Sequence, residues 1–146
     1  MRNLMAAVGL IVMAGGGSGS SDALATERSS SGETGAVHEV QMVLTAAGEY
    51  RYIPEELTIK AGDTVRWINV SGGPHNVQFK AGRVPDGAEA VLNAAMANRM
   101  GSMNGGFVMA PNAVYEIDFT GAPVGEYYYV CTPHEPLGMV ATLTIE

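Results

Sequence analysis

The chemistry this chain could do is concentrated in Cys131, His134 and Met139, spaced C-x2-H-x4-M in the stretch CTPHEPLGM. A thiolate, an imidazole and a thioether are soft or borderline metal donors. A second imidazole, His75, opens the earlier stretch HNVQF, directly after Pro74. Cys131 is the only cysteine in the sequence. A lone cysteine is an intermolecular bridge, a reactive thiol, an inert buried side chain or a metal ligand. Taken singly, His134 reads as a loop residue, Met139 as core and His75 as a turn residue. Together they match another pattern, in which two histidines and a cysteine form a trigonal plane with a long axial methionine, the donor set of a blue-copper site.

Such a set needs a frame that brings residue 75 to residues 131–139. Pro133, Pro136 and Gly138 let the final loop fold back on itself, and His75 has to come from a distant strand. The surrounding pattern supplies strands. Val37 to Thr45 alternates apolar and polar residues, Ala47-Gly48 is a turn, and Tyr50 to Ile53 runs into Pro54. Leu57 to Lys60 is a short strand and Ala61-Gly62-Asp63 a turn. Thr64 to Asn69 places Val65, Trp67 and Asn69 on one face, with Arg66 and Ile68 on the other. His75 to Phe79, Val114 to Phe119, Glu126 to Val130 and Met139 to Ile145 complete the set. Ala88 to Met100 is the one stretch of helix-forming composition, stopped by Gly101. The spacing predicts an all-β, Greek-key β-sandwich with one short helix.

The chain has 146 residues, 47% of them hydrophobic, which suits one domain of roughly 100 residues with appendages. A net charge of -7 leaves no basic stripe for phosphates, so nucleic acid is excluded as a partner. Arg2, the apolar run Leu4 to Ala14 and the Ala23-Leu24-Ala25 cleavage pattern read as an export signal. The predicted organisation is a signal peptide at 1–25, a flexible Gly/Ser/Thr-rich linker at 26–36 and one domain at 37–146. The expected location is periplasmic or extracellular, with tethering by an uncleaved N-terminus as the variant. A mature monomer with no membrane span is expected.

The motifs carry a family resemblance. CTPHEPLGM follows the pattern C-x-P-H-x-x-x-G-M, PHNVQF follows P-H-N-V-x-F, and Leu57 to Asn69 follows L-x-I-x-x-G-D-x-V-x-W-x-N. Over about residues 50 to 146 the sequence resembles the cupredoxins, or type 1 blue copper proteins, and within them the plastocyanins. The resemblance implies one type 1 copper ion with His75, Cys131, His134 and Met139 as ligands. It implies that Asn76 ties the two ligand loops together near the Cys131-Thr132 peptide. It also implies an electron port at His134, ringed by Pro74, Pro136 and Leu137, and redox proteins as donor and acceptor. The implied function is one-electron transfer, without enzymatic turnover. Two features depart from plant plastocyanins: Lys80-Ala81-Gly82-Arg83 replaces an acidic run, and Val130 replaces the tyrosine before the cysteine, although Tyr127, Tyr128 and Tyr129 precede it. The stretch from Met96 to Met109 is expanded. Docking through those plant features, and a photosynthetic role, therefore do not follow.

Met96, Met100, Met103 and Met109 allow a second reading, an accessory Cu(I) thioether site, which would make the chain an envelope copper-binding or copper-delivery protein. Methionines at helical spacing also simply pack. His38 has no partner at ligand spacing and reads as a solvated strand residue. A copper enzyme would need further histidines, and the chain has three in all.

Overall fold

The computed structural model describes residues 34–146. The expected export signal at 1–25, and the expected linker as far as residue 33, lie outside the described residues.

Among the described residues, eight strands form two four-stranded sheets. The first contains β1 (Val37–Leu44), β2 (Tyr50–Ile53), β4 (Thr64–Asn69) and β6 (Val114–Asp118), in the order β2-β1-β4-β6. The second contains β3 (Glu56–Ile59), β5 (Gln78–Phe79), β7 (Gly125–Val130) and β8 (Val140–Ile145), in the order β3-β8-β7-β5. β1 lies parallel to β4, and β3 parallel to β8, while the other pairs are antiparallel. The result is the Greek-key sandwich that the strand spacing predicts.

Alternation explains why these strands close on one core. In β4 the buried residues are Val65, Trp67 and Asn69, as the period of two requires. Trp67 meets Phe79, Phe119 and Tyr129 at ring-centroid distances of 6.5, 6.5 and 5.6 Å. Tyr129 in turn meets Tyr52 across the sheets at 4.8 Å. Rings of this size stabilise by roughly 1.5–3 kcal/mol each when fully buried. Aromatic packing in the centre of the sandwich makes a stiff base for the loops at its end.

The helix is shorter than the composition suggests. α1 spans Ala88–Ala95, with Leu92 buried. Met96 turns extended, and its N–H returns to Leu92 O as the cap. Asn98 then takes a left-handed conformation, φ 48°. Asn93 Oδ1 accepts the Met103 N–H at 2.7 Å, so a helix side chain satisfies the loop that replaces the expected last turn. The ligand-bearing strand is also shorter than expected. Residues 75–77 precede β5 and pair instead with the segment before β6, through a bridge between His75 and Val108.

At the start of β4, Asp63 is buried and fully engaged. Its carboxylate accepts from the N–H groups of Ala36 (2.8 Å) and Lys60 (3.0 Å) and from His38 Nε2 (2.8 Å). His38 is thus a partly buried hydrogen-bond partner, 25 residues away in sequence, and not simply a solvated strand residue. Those contacts hold the Asp63 carboxyl below the usual carboxylate range, the Lys60 N–H first and His38 second.

Candidate metal centre

The loop between β7 and β8 is closed by its own backbone. Cys131 O accepts the N–H groups of His134 (3.0 Å) and Glu135 (2.7 Å), and a short 3₁₀ turn follows at Glu135–Leu137. Gly138 sits at φ 86°, a left-handed conformation that favours glycine, and turns the chain back. Met139 N donates to His134 O, and Cys131 N donates to Met139 O, both at 3.1 Å. Cysteine and methionine therefore face each other across the mouth of one closed loop. Met139 is fully buried and belongs to the same apolar cluster as Cys131. It immediately precedes β8 instead of opening it.

His75 arrives from the other sheet connection. Its N–H and C=O pair with Val108 at 3.2 and 2.7 Å, and its Nε2 donates to Ser71 O at 2.8 Å. That bond fixes the tautomer and leaves the Nδ1 lone pair free to ligate. Nδ1 of His75 lies 3.6 Å from Cys131 Sγ, and Nδ1 of His134 lies 3.4 Å from it. One donor atom from each of the three residues falls within 4.8 Å of the others, and all three residues are buried. Bonds of about 2.0–2.3 Å from one first-row ion to imidazole and thiolate, at trigonal angles, would separate nitrogen from sulfur by about 3.6–3.8 Å. The observed spacings fit such an ion.

The electrostatics suit metal uptake. Burial lowers the basicity of both imidazoles, with the neighbouring His75 adding to the effect at His134, so both rings are neutral at neutral pH. Burial pushes the Cys131 thiol up, which keeps it protonated until an ion displaces the proton.

Asn76 is fully buried behind the donors. Its Oδ1 accepts the Thr132 N–H at 2.7 Å, and its Nδ2 donates to Thr132 Oγ1 at 2.9 Å. Thr132 Oγ1 donates onward to Gln78 Oε1 at 3.0 Å. The His75 strand and the cysteine loop are thereby joined by a reciprocal pair of bonds.

Strand β2 supplies two contacts that the motifs do not announce. Tyr50 stacks on His134, with centroids 3.8 Å apart and planes 10° from parallel, and meets His75 edge-on at 6.2 Å. Tyr52, fully buried, donates its hydroxyl to Asn76 O at 2.6 Å. The available signal was the period-two spacing of Tyr50 and Tyr52, which puts both rings on one face of β2. Nothing in the sequence says that this face meets the ligands.

His134 is 9% exposed, and Pro74, Pro136 and Leu137, next to the ligands in sequence, are exposed. The methionines divide: Met96 and Met103 are core residues, whereas Met100 and Met109 are exposed at 47% and 66%. The packing reading therefore accounts for Met96 and Met103. Lys80 Nζ meets Glu135 Oε2 at 3.1 Å, and Arg83 lies 3.6 Å above the Tyr128 ring. The basic residues that stand in place of an acidic run are thus engaged with their own surface.

The profile of the copper binding proteins, plastocyanin/azurin family, matches residues 38–146. The chain belongs to this family. Copper is accordingly its cofactor, and the buried His75–Cys131–His134 cluster offers donors for it. Plastocyanin of Synechococcus sp. (strain JA-2-3B'a(2-13)) is 42% identical over 94 residues, 64% of this chain and 62% of that protein. Chloroplastic plastocyanin of Chlamydomonas reinhardtii is 36% identical over 100 residues, 68% of this chain and 61% of that protein. The chain thus spans about six-tenths of the length of these two relatives. Among solved structures, the oxidized form of plastocyanin from Dryopteris crassirhizoma superposes with a TM-score of 0.58 at 26% identity, covering 74% of this chain and 99% of that one. Among the described residues no helix is long and apolar enough to cross a membrane.

Proposed function

We propose that this chain is a one-electron carrier in which His75, Cys131 and His134, together with the buried thioether of Met139, would hold one copper ion. The observation that carries the reading is the convergence of two imidazole Nδ1 atoms, 3.4 and 3.6 Å from one buried thiol, out of two separate connections. When bound, copper supplies a reversible change between Cu(II) and Cu(I) without bond making. The residues around it keep the donors still. Ser71 O holds the His75 ring, Tyr50 lies against the face of His134, and Asn76 locks the cysteine loop to the histidine strand. A donor set that does not rearrange has little reorganisation to overcome as charge arrives or leaves.

Electrons enter and leave at His134, which is 9% exposed in a loop that also exposes Pro136 and Leu137, with Pro74 exposed beside His75. An apolar patch of that size suits brief encounters with redox protein partners. The partners act on an exported protein, periplasmic or extracellular. The copper-delivery alternative draws no support from Met96 and Met103, which are committed to packing.

The test is an absorption spectrum of the copper-loaded domain, followed by redox cycling. The expected result is an intense blue thiolate-to-copper band, bleached by reductant and restored by oxidant. A colourless protein that binds Cu(I) and surrenders it to an acceptor would overturn the carrier reading.

A further inference from the structure

Asn104 lies between α1 and β6, well away from every ligand in sequence, yet its side chain reaches the group that joins the ligand loops. Its Oδ1 accepts from Asn76 Nδ2 at 2.8 Å. We propose that Asn104 is a positioning residue for the copper centre, holding the Asn76 carboxamide in the one orientation that couples His75 to the Cys131 loop. This deepens the carrier reading and rests on it.

The hydrogen-bond count carries the inference. Asn76 Nδ2 has two hydrogens to give. Three acceptors surround it: Asn104 Oδ1 at 2.8 Å, Thr132 Oγ1 at 2.9 Å and Gly105 O at 3.2 Å. Asn104 and Thr132 provide the two shortest contacts. With both hydrogens placed, Oδ1 is left facing the Thr132 N–H at 2.7 Å. A flipped amide would set N–H against N–H there and oxygen against three acceptors. Removing the Asn104 oxygen leaves one hydrogen with only the longer contact to Gly105 O, and the carboxamide is free to rock.

Asn104 is also held well enough to do this. Its carbonyl accepts the Met100 N–H at 2.8 Å, its N–H reaches Gly101 O at 3.3 Å, and it bridges Gln78. The segment around it runs beside residues 75–79 like an added strand, through Phe79 N to Met103 O and Gly105 N to Val77 O, both 2.9 Å. Gly105 can carry no side chain, because a Cβ there would fall 2.6 Å from the Tyr115 ring. Tyr115 is anchored by its hydroxyl on Ala97 O at 2.7 Å. The acceptor is therefore fixed in place before any ion arrives.

The test uses Asn104→Ala and Asn104→Asp in the full domain, metal-free and copper-loaded. Amide hydrogen exchange at Thr132 reports its bond to Asn76 directly. In metal-free Asn104→Ala, Thr132 should exchange about fivefold to tenfold faster while Leu143 in β8 keeps its rate. Asn104→Asp, which retains an acceptor oxygen, should restore the slow rate. In chelator competition, Asn104→Ala should retain copper about tenfold less tightly than the parent. An unchanged Thr132 rate in Asn104→Ala, an equal acceleration at Leu143, or no rescue by Asn104→Asp would overturn the proposal. A parent protein with no blue band would instead overturn the carrier reading, and the metal-free exchange rates would still decide the role of Asn104.

Discussion

The two ends of β4 solve the same problem with different chemistry. At its start, Asp63 pins the entering chain with a carboxylate that accepts from two backbone N–H groups and His38. At its far end, about 20 Å away, Asn69 donates to Val108 O and Ala110 O at 3.2 and 3.1 Å, and Asn76 joins the ligand loops. Residues 67–79 and 100–115 contain no Asp, Glu, Lys or Arg. The ligand loop has one, Glu135, and it pairs with Lys80. A buried carboxylate pins one end, and buried amides join the other. An amide neither titrates nor carries net charge, so the frame around a redox centre keeps its geometry as pH and oxidation state change. A carboxylate in the place of Asn76 would tend to take up a proton with each electron.

Breaking the copper end should have the largest effect. Cys131→Ser should abolish the blue band outright in the absorption spectrum, because a hydroxyl offers no thiolate charge transfer, while unfolding of the metal-free domain changes little. Met139→Gln should keep the colour and lower the reduction potential in voltammetry, since a stronger axial oxygen donor favours Cu(II). At the ionic end, Asp63→Asn should lower the urea midpoint of the metal-free protein and leave the spectrum of the copper form alone. It should also flatten the acid limb of the stability curve. The folded pKa of Asp63 lies below its ordinary value of 3.8, so its contribution is complete above about pH 4 and fades as the pH falls toward the folded value. Parallel acid limbs in the parent and Asp63→Asn would remove the contrast between the two ends. The smallest effect is expected from Tyr50→Leu, which keeps apolar bulk and loses the stacked ring, about 0.5–1.5 kcal/mol. It should show in urea unfolding together with a downfield shift of the His134 ring protons.

Much of this architecture was legible in the sequence because it is periodic or local. The alternation of Val65, Trp67 and Asn69 marks a half-buried strand, and Cys131 to Met139 is a closed loop whose donors are near neighbours in the chain. The rest depends on contacts across long separations, which leave no repeating mark. Tyr50 meets His134 from another sheet, Asn104 meets Asn76 from a helix connection, and Asp63 meets His38 across 25 residues. The helix end was missed for a different reason. Residues 96–100 have helical composition, but burial of Met96 and the Asn93–Met103 bond outweigh that weak preference.

The strip of chain from Met103 to Val108 also closes the open flank of the second sheet, since β5 is its outermost strand. Unpaired strand flanks invite other molecules to add on and start aggregates. With that flank occupied along residues 75–79, two molecules meeting there would find few free backbone groups, and crowding need not lead to sticking.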